Sequence, residues 1–389
     1  MTTTTTVPNV NAVQGENPLR GLLAYGQSPW LDFIRRNILL NGDLKKMIAN
    51  DGLRGMTSNP AIFEKAITAG DDYNDIIHAQ DAKSSSAMAL YEKIAIRDVQ
   101  DAADIFRAVN TETKGRDGYV SLEVSPNLAF DTQATIEEAR RLWKTVSRPN
   151  VMIKIPATPQ GLPAIRQALE EGININITLL FAQSAYEQVA EVFIAALEAR
   201  AAKNQDIAHI ASVASFFVSR IDTLADSLMD EKLKSASDHN QKALLNGLKG
   251  KVAIANAKVT YKKYQEIFSG PRWNALKAKG AQTQRLLWAS TSTKNKAYRD
   301  VLYVEELIGA DTVDTIPPAT FDAFRDHGRL RPSLTENVDQ AFKTMSDLEK
   351  AGISMKEITD KLLVDGIKLF ADAFTELLEA TGKTAGVHA

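Results

Sequence analysis

The chain has no cysteine among its 389 residues. That absence excludes disulfides, thiolate catalysis, iron–sulfur clusters and cysteine-based zinc sites together, and it fits a cytoplasmic protein. Histidine is scarce. His78, His209, His239, His327 and His388 are scattered, and no two share helical ligand spacing, so no histidine metal site is expected. No stretch approaches the ~18 apolar residues of a membrane span. The threonine-rich start, Met1 to Pro8, lacks both the basic region and the apolar core of a signal peptide, so export is not expected. Charge of one sign is lacking too: the net charge is −2, which predicts neither nucleic acid nor an anionic membrane as a partner. Gly382-Lys383-Thr384 resembles the end of a phosphate-binding loop, but Leu377 stands where that motif needs a glycine. The segment reads as a frayed C-terminal tail.

What is present is ordinary for a globular protein with a sizeable core, 44% hydrophobic and 24% charged residues. The length is too great for an average domain and too small for three, but eight-stranded α/β barrels often run as one domain at this size. Short runs dense in Val, Ile, Leu and Phe recur at Trp30–Ile34, Gly52–Asn59, Gly118–Ser125, Val151–Ala157, Asn174–Phe181, Ser212–Ile221, Arg285–Ser290 and Thr312–Pro317. Such runs suit parallel strands covered by helices. Between them, Thr135–Val146, Ala182–Ala202 and Asp339–Leu348 carry apolar residues at helical spacing. The pattern predicts one α/β domain, a (β/α)8 TIM barrel over 17–380, flanked by an N-terminal extension (1–16) and a tail (381–389). A doubly wound open sheet also alternates in this way, but no Gly-rich fingerprint follows the first run. The connections Ala61–Asp117 and Thr223–Gln284, after the second and sixth strands, are long enough to hold extra helices. Within the latter, lysine-rich Gln241–Phe268 reads as a solvated helix packed on the barrel rather than a nucleic-acid surface.

In a barrel the reactive groups belong at the C-terminal ends of strands. Those ends carry Asp32, Thr57-Ser58-Asn59, Ser121 with Glu123, Lys154, Asn176 with Thr178, Ser215 with Arg220, and Ser290. Each buried polar group must be satisfied, so one on nearly every strand is hard to explain as packing. Lys154 stands out, because it lies in the apolar run Val151-Met152-Ile153-Lys154-Ile155-Pro156. Alternation puts Met152, Lys154 and Pro156 on one face. The plain structural explanation is a lysine paired with a carboxylate or snorkelling out at a strand end. The chemical one is a nucleophilic amine. At an ordinary pKa near 10.4 only about one lysine in two thousand is neutral at pH 7, and a desolvated pocket raises that fraction.

Four segments carry a family resemblance. Gly55-Met56-Thr57-Ser58-Asn59-Pro60 resembles the first transaldolase signature. Ile153-Lys154-Ile155-Pro156-Ala157-Thr158-Pro159-Gln160-Gly161 resembles the second, which surrounds a Schiff-base lysine. Asn174-Ile175-Asn176-Ile177-Thr178-Leu179-Leu180-Phe181 and Ser215-Phe216-Phe217-Val218-Ser219-Arg220-Ile221 resemble that family's fifth and sixth strands. The resemblance runs from about Trp30 to Pro318, in the right order. It implies transfer of a dihydroxyacetone unit between sugar phosphates through a Schiff base on Lys154, in the non-oxidative pentose phosphate branch and without a cofactor. By the same resemblance Asp32 is the acid/base group at the substrate's C4 hydroxyl. Glu123 acts through a water shared with Thr178. Asn59 and Asn176 hold donor hydroxyls with Ser121 nearby, and Phe217 lines the substrate pocket. Ser215 and Arg220 bind phosphate, with Ser290 ending the seventh strand.

One position departs from the pattern. Many transaldolases place an arginine two residues after the serine that ends strand seven, and here Ser292 stands there. Lys294 is the expected replacement, as a point charge rather than a fork. Two rivals remain open: a lyase that releases dihydroxyacetone, and a silent barrel that only binds a sugar phosphate. Small lyase-like relatives carry Gln at the position of Glu123 and Tyr at that of Phe217, so both residues favour the transferase. Monomer and homodimer are equally compatible with the sequence.

Overall fold

The computed structural model describes residues 17–77, 79 and 85–386. The N-terminal extension 1–16, His78 and His388 lie outside the described residues. Eight parallel strands close into a barrel in sequence order: β1 Gln27–Asp32, β2 Gly55–Thr57, β3 Tyr119–Glu123, β4 Val151–Pro156, β5 Ile175–Leu180, β6 Ser212–Phe217, β7 Arg285–Ala289 and β8 Thr312–Ile316. Helices cover the outside, so this is the (β/α)8 architecture that the alternating runs predicted. Every residue of β4, β5 and β6 is buried, which is why these strands read as near-continuous apolar runs.

The helices form where caps and spacing direct them. Thr132–Val146 starts on Asp131, whose carboxylate accepts from Ala134 N, and it buries Ile136, Ala139, Leu142 and Val146. Both long connections hold extra helices: Pro60–Thr68, Asn74–Ile77, Ala87–Ile105 and Arg107–Glu112 after β2, and Ser219–Ser235, His239–Leu248, Val252–Ile267 and Pro271–Lys277 after β6. Among the described residues no helix is long and apolar enough to cross a membrane.

Several boundaries differ from the sequence reading, each for a physical reason. β1 starts earlier, at Gln27, because Pro29 needs no N–H there while its carbonyl still accepts from Arg54 N at 2.8 Å. β2 is shorter: Gly52 turns left-handed at φ +69, and Asn59 caps the helix Pro60–Thr68 by accepting from Ile62 N. β6 stops at Phe217 rather than reaching Ile221. Ser219 opens a helix with Asp222 in its first turn, favourable at the positive helix end. Gln241–Phe268 is two helices broken at Gly250 (φ +67), and the second is largely buried, including Asn256, Lys258 and Thr260. It packs between Gln183–Ala202 and Val338–Lys350, so it is not the solvated helix expected. Gly382-Lys383-Thr384 does not fray either. It lies inside the C-terminal helix Met355–Ala385, beside the fully buried Thr381.

Two features shape the barrel interior. A Cβ on Gly55 would meet the Trp30 indole at 2.4 Å, so the smallest residue on β2 lets the tryptophan fill the middle of the barrel. Below it, the Arg285 guanidinium pairs with Asp117 at 2.7 Å and donates to Ser28 Oγ at 2.7 Å, closing the N-terminal end with a buried ion pair. The C-terminal end is left open, and the polar strand ends meet there.

Candidate active site

Lys154 is the centre of the C-terminal mouth. Register pairs it with Glu123 on β3 and Asn176 on β5, so three polar side chains emerge side by side. Its Nζ donates to Glu123 Oε2 at 3.1 Å and to the Ser58 carbonyl at 3.2 Å, and both charged side chains are only 6% exposed. The paired-lysine reading and the reactive-amine reading therefore meet in one residue. Burial raises the Glu123 carboxyl above its ordinary range, and the Lys154 ammonium opposes that rise. Glu123 is thus within direct hydrogen-bond reach of the amine.

Asp32 closes the other side of the cup. Its Oδ1 accepts from Thr57 Oγ1 at 2.6 Å, and Thr57 Oγ1 lies 2.6 Å from Thr315 Oγ1 on β8. Burial pushes the Asp32 carboxyl up; the Thr57 hydrogen bond and the charges of Lys154, Lys294 and Arg220 pull it back. Thr178 is fully buried and its hydroxyl has no hydrogen-bond partner among the described residues, so it is available to a ligand in the cavity it lines. The next residue, Leu179, adopts φ +59 where the β5–β6 register shifts. A left-handed branched residue costs about 1–2 kcal/mol, and bulges re-aim side chains beside functional sites.

A cavity of about 160 Å³ fills the cup, lined among others by Asp32, Asn59, Lys154, Thr178, Ser215 and Phe217. Arg220, Ser290 and Lys294 form its far side. Ser121, Glu123 and Asn176 do not line it: Glu123 meets it through Lys154, and Ser121 through Asn176 and Ser215. Asn176 Nδ2 donates to Ser121 Oγ at 3.0 Å and its Oδ1 accepts from Ser215 Oγ at 2.6 Å, which fixes the amide's orientation. Asn59 spends its oxygen on the helix cap, accepting from Ile62 N at 3.1 Å, and its side of the helix start lines the cavity. Because β6 ends early, Arg220 lies in the first turn of a helix and not on a strand. Its guanidinium stacks 5.3 Å from the Phe217 ring centroid and, among the described residues, has no carboxylate partner within ion-pair distance. Burial lowers its pKa, with Asp32 opposing. Lys294 reaches the lip, donates to Ser292 Oγ at 2.7 Å, and is held below the ordinary lysine value by burial and by Arg220. Two cations that repel each other across a cavity suit a doubly charged anion.

Among the lining residues that the sequence reading missed are Thr315 and Phe370. Thr315 lay on a recognised strand but was left out of the polar strand ends. Phe370 comes from the C-terminal helix, which crosses the mouth and places that ring 5.4 Å from Lys154 Nζ. The helix approaches β5 closely because Gly366 faces Leu179, where a Cβ would sit 3.1 Å from the leucine methyl. A larger groove of about 620 Å³ lies outside the barrel, lined by Phe342, Met345 and Met355 among others. Its charged lining groups, Lys356 and Asp360, are exposed, so the smaller cup is the place for chemistry.

A buried amine, two carboxyl groups and two cations at the C-terminal mouth of a closed parallel barrel are the build of a (β/α)8-barrel enzyme. Comparison with known proteins narrows this. The chain belongs to the transaldolase/fructose-6-phosphate aldolase family, whose model matches residues 29–381. A transaldolase of Trichodesmium erythraeum (strain IMS101) is 51% identical over 357 residues, covering 91% of this chain and 94% of its own length. Transaldolase 2 of Nostoc sp. (strain PCC 7120 / SAG 25.82 / UTEX 2576) is 46% identical, covering 94% and 96%. A transaldolase of Thiobacillus denitrificans (strain ATCC 25259 / T1) is 42% identical, covering 92% and 97%.

Proposed function

We propose that this chain is a transaldolase, a transferase that moves a dihydroxyacetone unit from a ketose phosphate to an aldose phosphate through a Schiff base on Lys154. The donors are sedoheptulose 7-phosphate or fructose 6-phosphate, and the acceptors glyceraldehyde 3-phosphate or erythrose 4-phosphate. The observation that carries the reading is the Lys154 amine, buried in a cavity that also holds Asp32 and the cations Arg220 and Lys294. The high identity to curated transaldolases over nearly the whole chain supports it.

Each residue then has a task. Glu123, raised by burial and 3.1 Å from the amine, accepts the lysine's proton and leaves a neutral nucleophile. The amine adds to the C2 ketone, and Glu123 returns the proton as water leaves the carbinolamine. Thr178 holds that water through its unpartnered hydroxyl. Asp32 takes the C4 hydroxyl proton as the C3–C4 bond breaks, and the iminium nitrogen receives the electron pair. Arg220 and Lys294 hold the phosphate, the first as a planar fork and the second as a point charge. Ser215, Asn59, Ser121, Asn176 and Ser290 orient the hydroxyls directly or through one another.

The lyase alternative differs only in the fate of the enamine. Phe217 is buried against Phe181 with ring centroids 5.3 Å apart, so an apolar edge stands where a phenol could protonate the enamine. The test is to incubate the protein with fructose 6-phosphate with and without erythrose 4-phosphate. One equivalent of glyceraldehyde 3-phosphate followed by a stall, relieved by acceptor, is expected. Continuous release of dihydroxyacetone at the acceptor-dependent rate would make the chain a lyase.

A further inference from the structure

Three neighbouring strands, β8, β1 and β2, bring Thr315, Asp32 and Thr57 together at the mouth. Register sets Asp32 beside Thr57 and Trp30 beside Thr315, so the two threonines flank β1 and meet over the carboxylate. Both are nearly inaccessible, at 2% for Thr57 and 4% for Thr315. A buried hydroxyl is costly unless it is hydrogen-bonded, and valine has almost the same shape. Two threonines here are therefore explained by what their hydroxyls do. Each has one proton to give, and the contacts are short: Thr57 Oγ1 lies 2.6 Å from Asp32 Oδ1 and 2.6 Å from Thr315 Oγ1.

We infer that Thr315 is a positioning residue for Asp32, forming with Thr57 a two-hydroxyl relay whose direction follows the protonation of that carboxyl. The inference rests on the reading of Asp32 as the acid/base group. An ionised carboxylate can only accept. While Asp32 is charged, the Thr57 proton is committed to Oδ1, and Thr315 must donate to Thr57. In cleavage the C4 hydroxyl proton passes to Asp32, its O–H electron pair becomes the aldehyde carbonyl, and the C3–C4 pair enters the enamine. A proton arriving on Oδ1 reverses the relay: Asp32 donates to Thr57, Thr57 donates to Thr315, and the Thr315 proton turns toward the cavity that this residue lines. No proton is gained or lost in the reversal; two O–H bonds rotate. The relay thus stabilises the charged form of Asp32 before cleavage and satisfies the neutral form after it. In series, each hydrogen bond polarises the next, so Thr315 acts on Asp32 without touching it.

The other charged groups facing Asp32 are Lys154 on β4, Glu123 on β3, Arg220 after β6 and Lys294 after β7. None contacts Thr315 through a hydrogen bond, so a change at 315 reports on the relay. The experiment is a ¹³C NMR titration of the Asp32 carboxyl in aspartate-labelled protein, assigned with Asp32→Asn, beside the acid limb of kcat/KM for fructose 6-phosphate. Losing the direct donor in Thr57→Val should raise the Asp32 midpoint by about one to two pH units. Losing the second hydroxyl in Thr315→Val should raise it by roughly 0.2 to 0.6 units, with Thr315→Ser restoring it. If Thr315→Val does not fold, Thr315→Ala carries the same comparison. The acid limb should move by the same amounts. An unchanged midpoint in Thr315→Val or Thr315→Ala, or a serine variant that behaves like them, overturns the relay. A midpoint that moves while the acid limb stays fixed keeps the relay and removes Asp32 from catalysis.

Discussion

Replacing Arg220 by alanine tests phosphate recognition with little collateral damage, because of how this arginine is held. Its guanidinium rests on the Phe217 ring and, among the described residues, has no carboxylate partner at ion-pair distance, so its removal breaks no salt bridge. A charge-assisted contact to phosphate contributes roughly 1.5–3 kcal/mol, which is about a ten- to hundredfold loss in kcat/KM for fructose 6-phosphate. The loss should fall mainly on KM, since the phosphate is bound alike in ground and transition states. Unphosphorylated dihydroxyacetone as donor should be nearly unaffected. Arg220→Lys should recover part of the loss, because a point charge replaces the fork. A secondary effect has a defined sign. Arg220 is one of the charges that pull the Asp32 carboxyl down, so Arg220→Ala should move the acid limb of activity to higher pH. Steady-state kinetics with both donors across pH checks all of this. Equal damage to phosphorylated and unphosphorylated donors would show that Arg220 is structural and would refute the phosphate reading.

Two further predictions concern stability. Arg285→Met leaves Asp117 charged and unpaired at the closed end of the barrel and should cost about 3–5 kcal/mol in denaturant unfolding, with Asp117→Asn in the same chain recovering much of it. Asp314 is fully buried, accepts among the described residues only from Thr291 Oγ1, and is pushed up from 3.8 to about 8 by burial. The folded chain then holds a proton there that the unfolded chain has lost, so this residue's contribution to stability falls as pH rises from about 4 to about 8. Asp314→Asn should flatten that part of the stability–pH curve, and a wild-type curve with no such slope relative to the variant would contradict it.

Much of the fold was legible because parallel strands bury both faces, and Val151–Pro156 or Ile175–Leu180 can hardly be anything else. The boundaries were less legible where one signal masked another. Pro29 hid the start of β1, and Phe216-Phe217-Val218 reads as strand although the backbone turns to helix one residue later. The lining residues Lys154, Asp32 and Thr178 could be found because a polar residue in or ending an apolar strand is conspicuous, and Arg220 because it closely follows one. Phe370 could not, since a phenylalanine in an amphipathic helix more than two hundred residues from Lys154 in sequence carries no local mark of its place. Nor could the Arg285–Asp117 pair, which depends on the first residue of β7 meeting the loop before β3 across the closed end. Thr315 fell between these cases: its strand was recognised, but polar residues alternate with apolar ones there on both faces.

The central claim, a covalent intermediate on the amine between Glu123 and Asp32, is open to one direct measurement. The protein is treated with fructose 6-phosphate and borohydride, digested, and mapped by mass spectrometry. A single three-carbon adduct on Lys154, accompanied by loss of activity and absent from Lys154→Ala, is the predicted result. An adduct on Lys251 or Lys294 instead, or full activity retained after trapping, would contradict it.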